Sequence, residues 1–242
     1  MKRFLLVLLV MSYLTLYTPI LKMVIPTKSQ FDELTAELIQ AGLSDPRLRL
    51  AIFSLIGTEG GFNLAEERSY AKTTVARLRT IFGKRIEHLS DDHLDTLKKD
   101  DVAFYDTIYG NRYGNTNPGD GFKYRGRGYN QLTFKDGYRK YSNAAGVDLV
   151  ANPEKMNDPK IAMRVLGAYF KEGIKAGQKL GLLRRKFGVD DISQLKTQEQ
   201  FNRLVCQINA GWGTKISGGI FDAKNEKMDK NAELIAAKYM NA

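Results

Sequence analysis

The chain has 242 residues, 43% of them apolar and 26% charged, which is the composition of an ordinary soluble globular protein with ample material for a buried core. Its single cysteine, Cys206, excludes an internal disulfide framework, and its two histidines, His88 and His93, exclude a His-rich metal site, so no metal or other cofactor is expected. The net charge is +10, from 37 Lys plus Arg against 27 Asp plus Glu, and this favours a polyanionic partner: nucleic acid, an anionic membrane or an acidic cell-wall polymer.

Lys2-Arg3 opens the chain, and an apolar run follows from Phe4 to Leu21, relieved only by Ser12, Thr15, Thr18 and Pro19 and closed by Lys22. The run reaches the lower length limit for a membrane-spanning helix, and the leading cations would hold its start in the cytoplasm. Residues 1–26 therefore read as an uncleaved signal-anchor, touching the membrane through residues 4–21. A cleaved signal peptide is the alternative, although no small-x-small site follows the run. Both readings export the remainder, residues 27–242, which reads as one domain.

The exported part opens on a helix over residues 27–44, with Phe31, Leu34, Leu38 and Ile39 at helical spacing and an end near Gly42. Ser44-Asp45-Pro46 supplies cap candidates and a first-turn proline for a second helix. The stripe of that helix is Leu48, Ala51, Ile52, Leu55 and Ile56. Extending the stripe by three puts Glu59 on the same buried face, in the last turn before Gly60-Gly61. Burial and the negative end of the helix dipole would both raise the proton affinity of a carboxylate there, as a general acid requires; a solvated Glu at a frayed helix end is the equal alternative.

Glu66 and Glu67 follow in a loop, where paired acids are most often simply solvated; together with Glu59 they offer the two carboxylates of a glycosidase. The loop leads to a helix carrying Val75, Leu78, Ile81 and Phe82. Residues 86–100 read as a surface helix with a thin stripe of Leu89, Leu94 and Leu97, and both histidines lie there as ordinary surface residues. The segment Asp101–Gly110 should pack back on the core through Val102, Phe104, Tyr105, Ile108 and Tyr109. Asn111 to Gly121 is loop.

Residues 119–133, from Gly119 to Thr133, have four glycines, three cations and three aromatics and end on Gln131-Leu132-Thr133, with no helical or strand period. Glycine at this density lets backbone approach a ligand closely, Gln and Thr add neutral donors and acceptors, and the aromatics offer flat faces, a mixture suited to a sugar. A glycine-rich loop carrying surface cations is the plain alternative. A nucleotide loop is the weaker reading, because Gly126-Arg127-Gly128 lacks the Lys-Ser/Thr of a P-loop. Beyond it, Tyr138 and Tyr141 begin a helix that breaks near Gly146, Asn152-Pro153-Glu154 marks a turn, and Ile161 to Phe170 is a strongly apolar helix. The stretch from Gly173 to Gly188 is basic and suited to face a polyanion. Helices over Phe201–Ile208 and Ala223–Ala242, the latter with Met228, Ala232, Leu234, Ile235 and Tyr239 as its apolar residues, complete a mostly α chain with no convincing strand set and no repeat.

Several of these stretches resemble family-19 glycoside hydrolases, the plant-type chitinases and related phage and bacterial lysozymes. Arg125 to Thr133 is similar to the family's Gly-Arg-Gly-x-x-Gln-Leu-Ser/Thr signature, Thr58-Glu59-Gly60-Gly61-Phe62 to its His-Glu segment, Phe82-Gly83-Lys84-Arg85 to the segment after it, and Gln207-Ile208-Asn209-Ala210-Gly211 to its late Ile-Asn-Gly-Gly motif. Tyr109 to Gly121 resembles an extension of the phage branch. The matches occur in family order over residues 45 to 215.

The resemblance implies a lysozyme-like single catalytic domain with a deep substrate cleft and an inverting mechanism without cofactor or metal. It carries Glu59 over as the general acid, Glu67 as the base with Glu66 as fallback, and Thr133 as the hydroxyl that helps position the water. Tyr124, Gln131 and Asn209 carry over as residues that bind substrate or hold the cleft walls. An inverting pair stands about 6.5–9.5 Å apart, which a loop eight residues on can supply. Thr58 departs from the usual histidine, Tyr129-Asn130 is more polar than the norm, and Gly137 replaces a sugar-binding Asn common in chitinases. The implied activity is hydrolysis of peptidoglycan by an exported monomer at the bacterial inner membrane or periplasm, with no nucleic-acid partner. A chitinase of the same family and a catalytically inactive wall-binding scaffold are the alternatives.

Overall fold

A computed structural model describes residues 24–64, 66–214 and 220–240. The expected membrane segment, residues 4–21, lies outside these. Among the described residues no helix is long and apolar enough to cross a membrane. The described chain is mostly α, and its only bridges, Arg112 with Asn115 and Arg127 with Leu132, are isolated ones.

The helices, in order, are α1 (Lys28–Gln40), α2 (Pro46–Glu59), α3 (Val75–Phe82), α4 (Asp91–Leu97), α5 (Asp101–Tyr109), α6 (Asp120–Lys123), α7 (Lys135–Ala145), α8 (Pro159–Lys179), α9 (Leu182–Phe187), α10 (Gln198–Ala210) and α11 (Ile220–Tyr239). Their starts follow local chemistry. Thr27 and Gln30 form a capping box on α1, Asp45 caps α2 ahead of Pro46, and Thr197 with Gln200 forms a second box on α10.

The chain divides into two compact units, described separately: residues 24–63 with 163–240, and residues 64–162. In the first, α10 and α11 pack along α2 and on each other. The middle of α2 is therefore buried on all sides, Leu50 to Gly57 without a break, rather than along one stripe. Arg164 on α8 grips Glu37 on α1 through two hydrogen bonds of 2.6 and 3.1 Å.

The second unit is built on aromatic rings. Tyr70 meets Phe82 edge-on at 5.1 Å and lies 5.5 Å from Phe104; Tyr105 lies 5.9 Å from Tyr109 and 5.8 Å from Phe122. Full burial of each such ring contributes roughly 1.5–3 kcal/mol. Asp106 on α5 accepts from the N–H groups of Gly119 (2.5 Å) and Gly121 (2.8 Å), and Asp120 accepts from those of Thr116 and Asn117 (both 3.1 Å). These two carboxylates give the polar segment before the glycine-rich stretch a definite course.

Several expectations need correction. The surface helix expected over residues 86–100 is only the short α4, because a 3₁₀ turn at Gly83–Arg85 precedes it and Ser90 caps it late. The expected loop ends in the helical turn α6. The helix expected to begin at Tyr138 starts at Lys135, directly after Phe134, whose φ of 70° leads the chain into it. Ile39, Val102 and Leu234, assigned to apolar stripes, are exposed at 49%, 45% and 46%.

Candidate active site

The glycine-rich stretch folds back on itself as a short hairpin. Arg127 and Leu132 exchange both backbone hydrogen bonds (3.2 and 2.8 Å), and the N–H of Gln131 donates to the carbonyl of Gly128 at 3.1 Å. Gly128 sits at φ 73°, a conformation that favours glycine, and a Cβ there would displace the Met156 methyl, 2.5 Å away. Gln131 (φ 48°) and Phe134 (φ 70°) are also left-handed, which is costly for residues with a side chain and concentrates backbone strain in this hairpin.

The hairpin presents its inner side to Glu67. The Glu67 N–H donates to the Gly126 carbonyl at 2.8 Å, and the Gly126 N–H donates back to Glu67 Oε2 at 3.2 Å. A Cβ on Gly126 would lie 2.7 Å from Gln131 Oε1, 3.4 Å from Glu67 Oε2 and 3.5 Å from Thr133 Oγ1. Three of the residues expected to share a site thus converge around Gly126, so closely that a side chain on residue 126 would press on them. Thr133 donates its hydroxyl proton to the Gln131 carbonyl (2.9 Å), and the Gln131 amide donates to the Gly128 carbonyl (3.1 Å). After that donation the Thr133 oxygen keeps acceptor capacity, which suits a hydroxyl or water donor.

Glu67 accepts from two phenols as well. Tyr70 Oη donates to Oε1 at 2.8 Å, and Tyr109 Oη lies 3.0 Å from Oε1 and 3.2 Å from Oε2. Burial pushes the Glu67 carboxyl above its ordinary value, against the opposing effect of the bonds from Tyr70, Gly126 and Tyr109 and the charge of Arg125. Burial and the Glu67 charge push both phenols upward too, so they remain protonated donors.

Its neighbour Glu66 is held differently. Arg125 reaches Oε1 at 2.7 Å and Arg127 reaches Oε2 at 2.9 Å. Burial opposes the Glu66 charge, but the Arg127 hydrogen bond and the charges of Arg125 and Arg127 outweigh it and hold the carboxyl below its ordinary value. Arg127 also donates to the Lys123 carbonyl and the Tyr138 hydroxyl, at 2.7 and 3.0 Å. Glu66 is thereby an anchor that locks the hairpin to the preceding loop.

The other expected residues fall in two groups. Tyr124 belongs to the same unit as Glu67 but is 1% exposed, with its hydroxyl donating to the Val150 carbonyl at 3.0 Å, so it is part of the packing and not of an accessible surface. Glu59 and Asn209 belong to the first unit. Glu59 is the last residue of α2 with Gly60 as its cap, and its side chain is 17% exposed. Lys224 of α11 donates to Glu59 Oε1. Asn209 is 8% exposed in the last turn of α10.

Sequence reasoning missed Lys224, and it placed Tyr70 and Tyr109 only by their neighbours or as core. A helix-borne lysine and two core tyrosines look alike at any position, and only the fold reveals what their polar tips reach. Among the described residues no cluster of His, Cys, Asp and Glu could hold a metal ion. The chain matches no protein-family model, and no curated protein matches it.

Proposed function

We propose that this protein is a family-19-like glycoside hydrolase with a lysozyme-like fold and a substrate cleft, cutting β-1,4 bonds between N-acetylated amino sugars of peptidoglycan by an inverting mechanism. The observation that carries this reading is the convergence of Glu67, Gln131 and Thr133 about Gly126. A carboxylate whose proton affinity is raised by burial, with a hydroxyl and an amide oxygen beside it, is suited to take a proton from attacking water. Glu67 is favoured over Glu66 as that base, because Glu66 is neutralised by two guanidiniums and has little basicity left to use. Glu59 is the proposed acid, held by Lys224 until substrate engages it. Asn209 and Gln131 contribute to sugar binding, and Tyr124 to the wall behind the hairpin.

The basic stretch from Gly173 to Gly188 supports an anionic wall polymer as partner. Arg184, Arg185 and Lys186 are exposed there, although Arg184 is paired with Asp190 at 2.9 Å. Export by the apolar run at residues 4–21 would deliver the enzyme to the inner membrane or periplasm, where that polymer lies.

The test is mass spectrometry of purified peptidoglycan incubated with the protein and with Glu59→Gln. Reducing amino-sugar ends produced by the parent and lost in the variant support the reading. Wall binding without any product would replace it with an inactive wall-binding scaffold, and turnover of chitin oligomers without wall products would replace it with a chitinase.

A further inference from the structure

The two oxygens of Glu67 are held unequally. Oε1 has two phenol hydroxyls at 2.8 and 3.0 Å, which occupy both of its lone pairs. The contacts of Oε2 are longer: the Gly126 N–H at 3.2 Å and, also at 3.2 Å, the Tyr109 hydroxyl. A phenol has one proton, and the Tyr109 hydroxyl lies nearer Oε1 (3.0 Å) than Oε2 (3.2 Å). Oε2 is also the oxygen on the Gly126 side, where a Cβ on that glycine would lie 3.4 Å from it and 3.5 Å from Thr133 Oγ1. Thr133 has committed its own proton to the Gln131 carbonyl and can meet a water only as an acceptor.

We propose that Tyr70 and Tyr109 are positioning residues that tether Glu67 by Oε1 and so assign the proton-accepting work to Oε2, with Thr133 receiving the water's second hydrogen. The proposal rests on the hydrolase reading for its chemistry, while the tether itself is independent of it. Attack by water then transfers one O–H proton to Oε2 while the remaining O–H stays hydrogen-bonded to Thr133 Oγ1; the new C–O bond forms as the glycosidic C–O bond breaks, and the leaving oxygen keeps that bond's electron pair and takes the proton of the proposed acid, Glu59.

The phenols are placed for this task by ring packing rather than by their own hydrogen bonds. Tyr70 is wedged against Phe82 and Phe104, and Tyr109 meets Phe134 edge-on at 5.3 Å. Phe134 in turn meets Tyr113 at 4.9 Å, and both adopt left-handed backbone, at 70° and 47°. The strained segment thus backs onto the ring that holds the carboxylate. The charged and titratable groups around Glu67 are Tyr70, Tyr105, Tyr109, Arg125 and Glu66, with the Arg85 guanidinium 5.9 Å from the centre of the Tyr109 ring.

Tyr109→Phe and Tyr70→Phe test this, since each removes one hydroxyl and leaves the ring. Loss of a donor to the charged carboxylate disfavours that form, so the acid limb of the pH profile of kcat/KM on peptidoglycan moves to higher pH. On that limb each variant falls by about tenfold, with a smaller fall on the plateau and KM unchanged. A uniform loss at every pH, with the limb in place, would overturn the proposal, because that is the signature of a merely structural ring.

A second readout does not need turnover: the Glu67 carboxyl carbon, assigned by its absence in Glu67→Gln, is titrated by NMR in the parent and both variants. A midpoint raised in the variants supports the tether, and an unchanged midpoint overturns it. An inactive parent would sink the hydrolase reading while leaving this second readout to decide the tether.

Discussion

Glu59 and Glu67 show two ways of holding a carboxylate. Glu59 stands at the end of α2 and meets a single charged donor, Lys224, whose side chain is 14% exposed. Glu67 stands in a loop and meets only neutral donors, two phenols and a backbone N–H, with Arg125 acting at longer range. A lysine satisfies one oxygen strongly, as a point charge on a flexible stem. Phenols and backbone are fixed by packing and stay where they are. Under the proposed roles, the acid must part from its lysine to act, whereas the base acts from where phenols and backbone hold it.

The largest effects should come from the carboxylates themselves. Glu59→Gln and Glu67→Gln keep the shape of the side chain and remove its proton chemistry, so each should lower the rate of reducing-end release by about 10²–10⁴. Retention of the parental rate by either would break the pairing of roles. Gly126→Ala sharpens the picture at the hairpin. The added methyl would sit among Gln131 Oε1, Glu67 Oε2 and Thr133 Oγ1, so turnover should fall by about a hundredfold while stability changes by only about 1 kcal/mol. A urea midpoint and a rate on the same preparation check it, and an intact rate would remove the close approach at Gly126 from the proposed mechanism.

Arg127→Met separates anchor from site. It abandons the Lys123 carbonyl, the Tyr138 hydroxyl and Glu66 at once, and should cost about 2–4 kcal/mol in urea unfolding. Glu66→Gln should cost about 1 kcal/mol, because the Glu66 side chain is 40% exposed and its ion pairs are screened by water.

The smallest effect is in the pH dependence of stability, where the adjacent glutamates have opposite signs. The Glu66 carboxyl is lowered in the folded state, so its contribution is present above the unfolded value and is lost as pH falls through the folded one. The Glu67 carboxyl is raised, so its contribution is full below the unfolded value and is lost as pH rises through the folded one. Thermal melts from pH 3 to 7 should show Glu66→Gln losing ground to the parent as pH rises and Glu67→Gln gaining on it. Parallel curves would contradict both assignments.

Most of the helices were legible in the sequence because their signals are local. Asp45-Pro46 and the Gly60-Gly61 stop bracket α2, and the stripe on α8 needs no partner to be recognised. The place of Glu59 at the end of α2 was read by extending such a stripe. The hairpin was legible only as an absence of period combined with glycine, which marks a close approach without saying what approaches. That Glu66 and Glu67 would divide into an anchor and an enclosed carboxylate was not legible, since it depends on Arg127, sixty-one positions on from Glu66, and on Tyr109, forty-two on from Glu67. Contacts at that separation leave no periodic trace. The exposure of Val102 and Leu234 has the same origin: a helical stripe states which residues prefer to be covered, and the neighbours decide which are.

The most direct test of the account is a side-by-side assay of Glu66→Gln and Glu67→Gln on purified peptidoglycan, with folding verified by circular dichroism. The account predicts near-complete loss of product for Glu67→Gln and a small loss for Glu66→Gln. A large loss for Glu66→Gln with activity retained by Glu67→Gln, or two small losses, would contradict it.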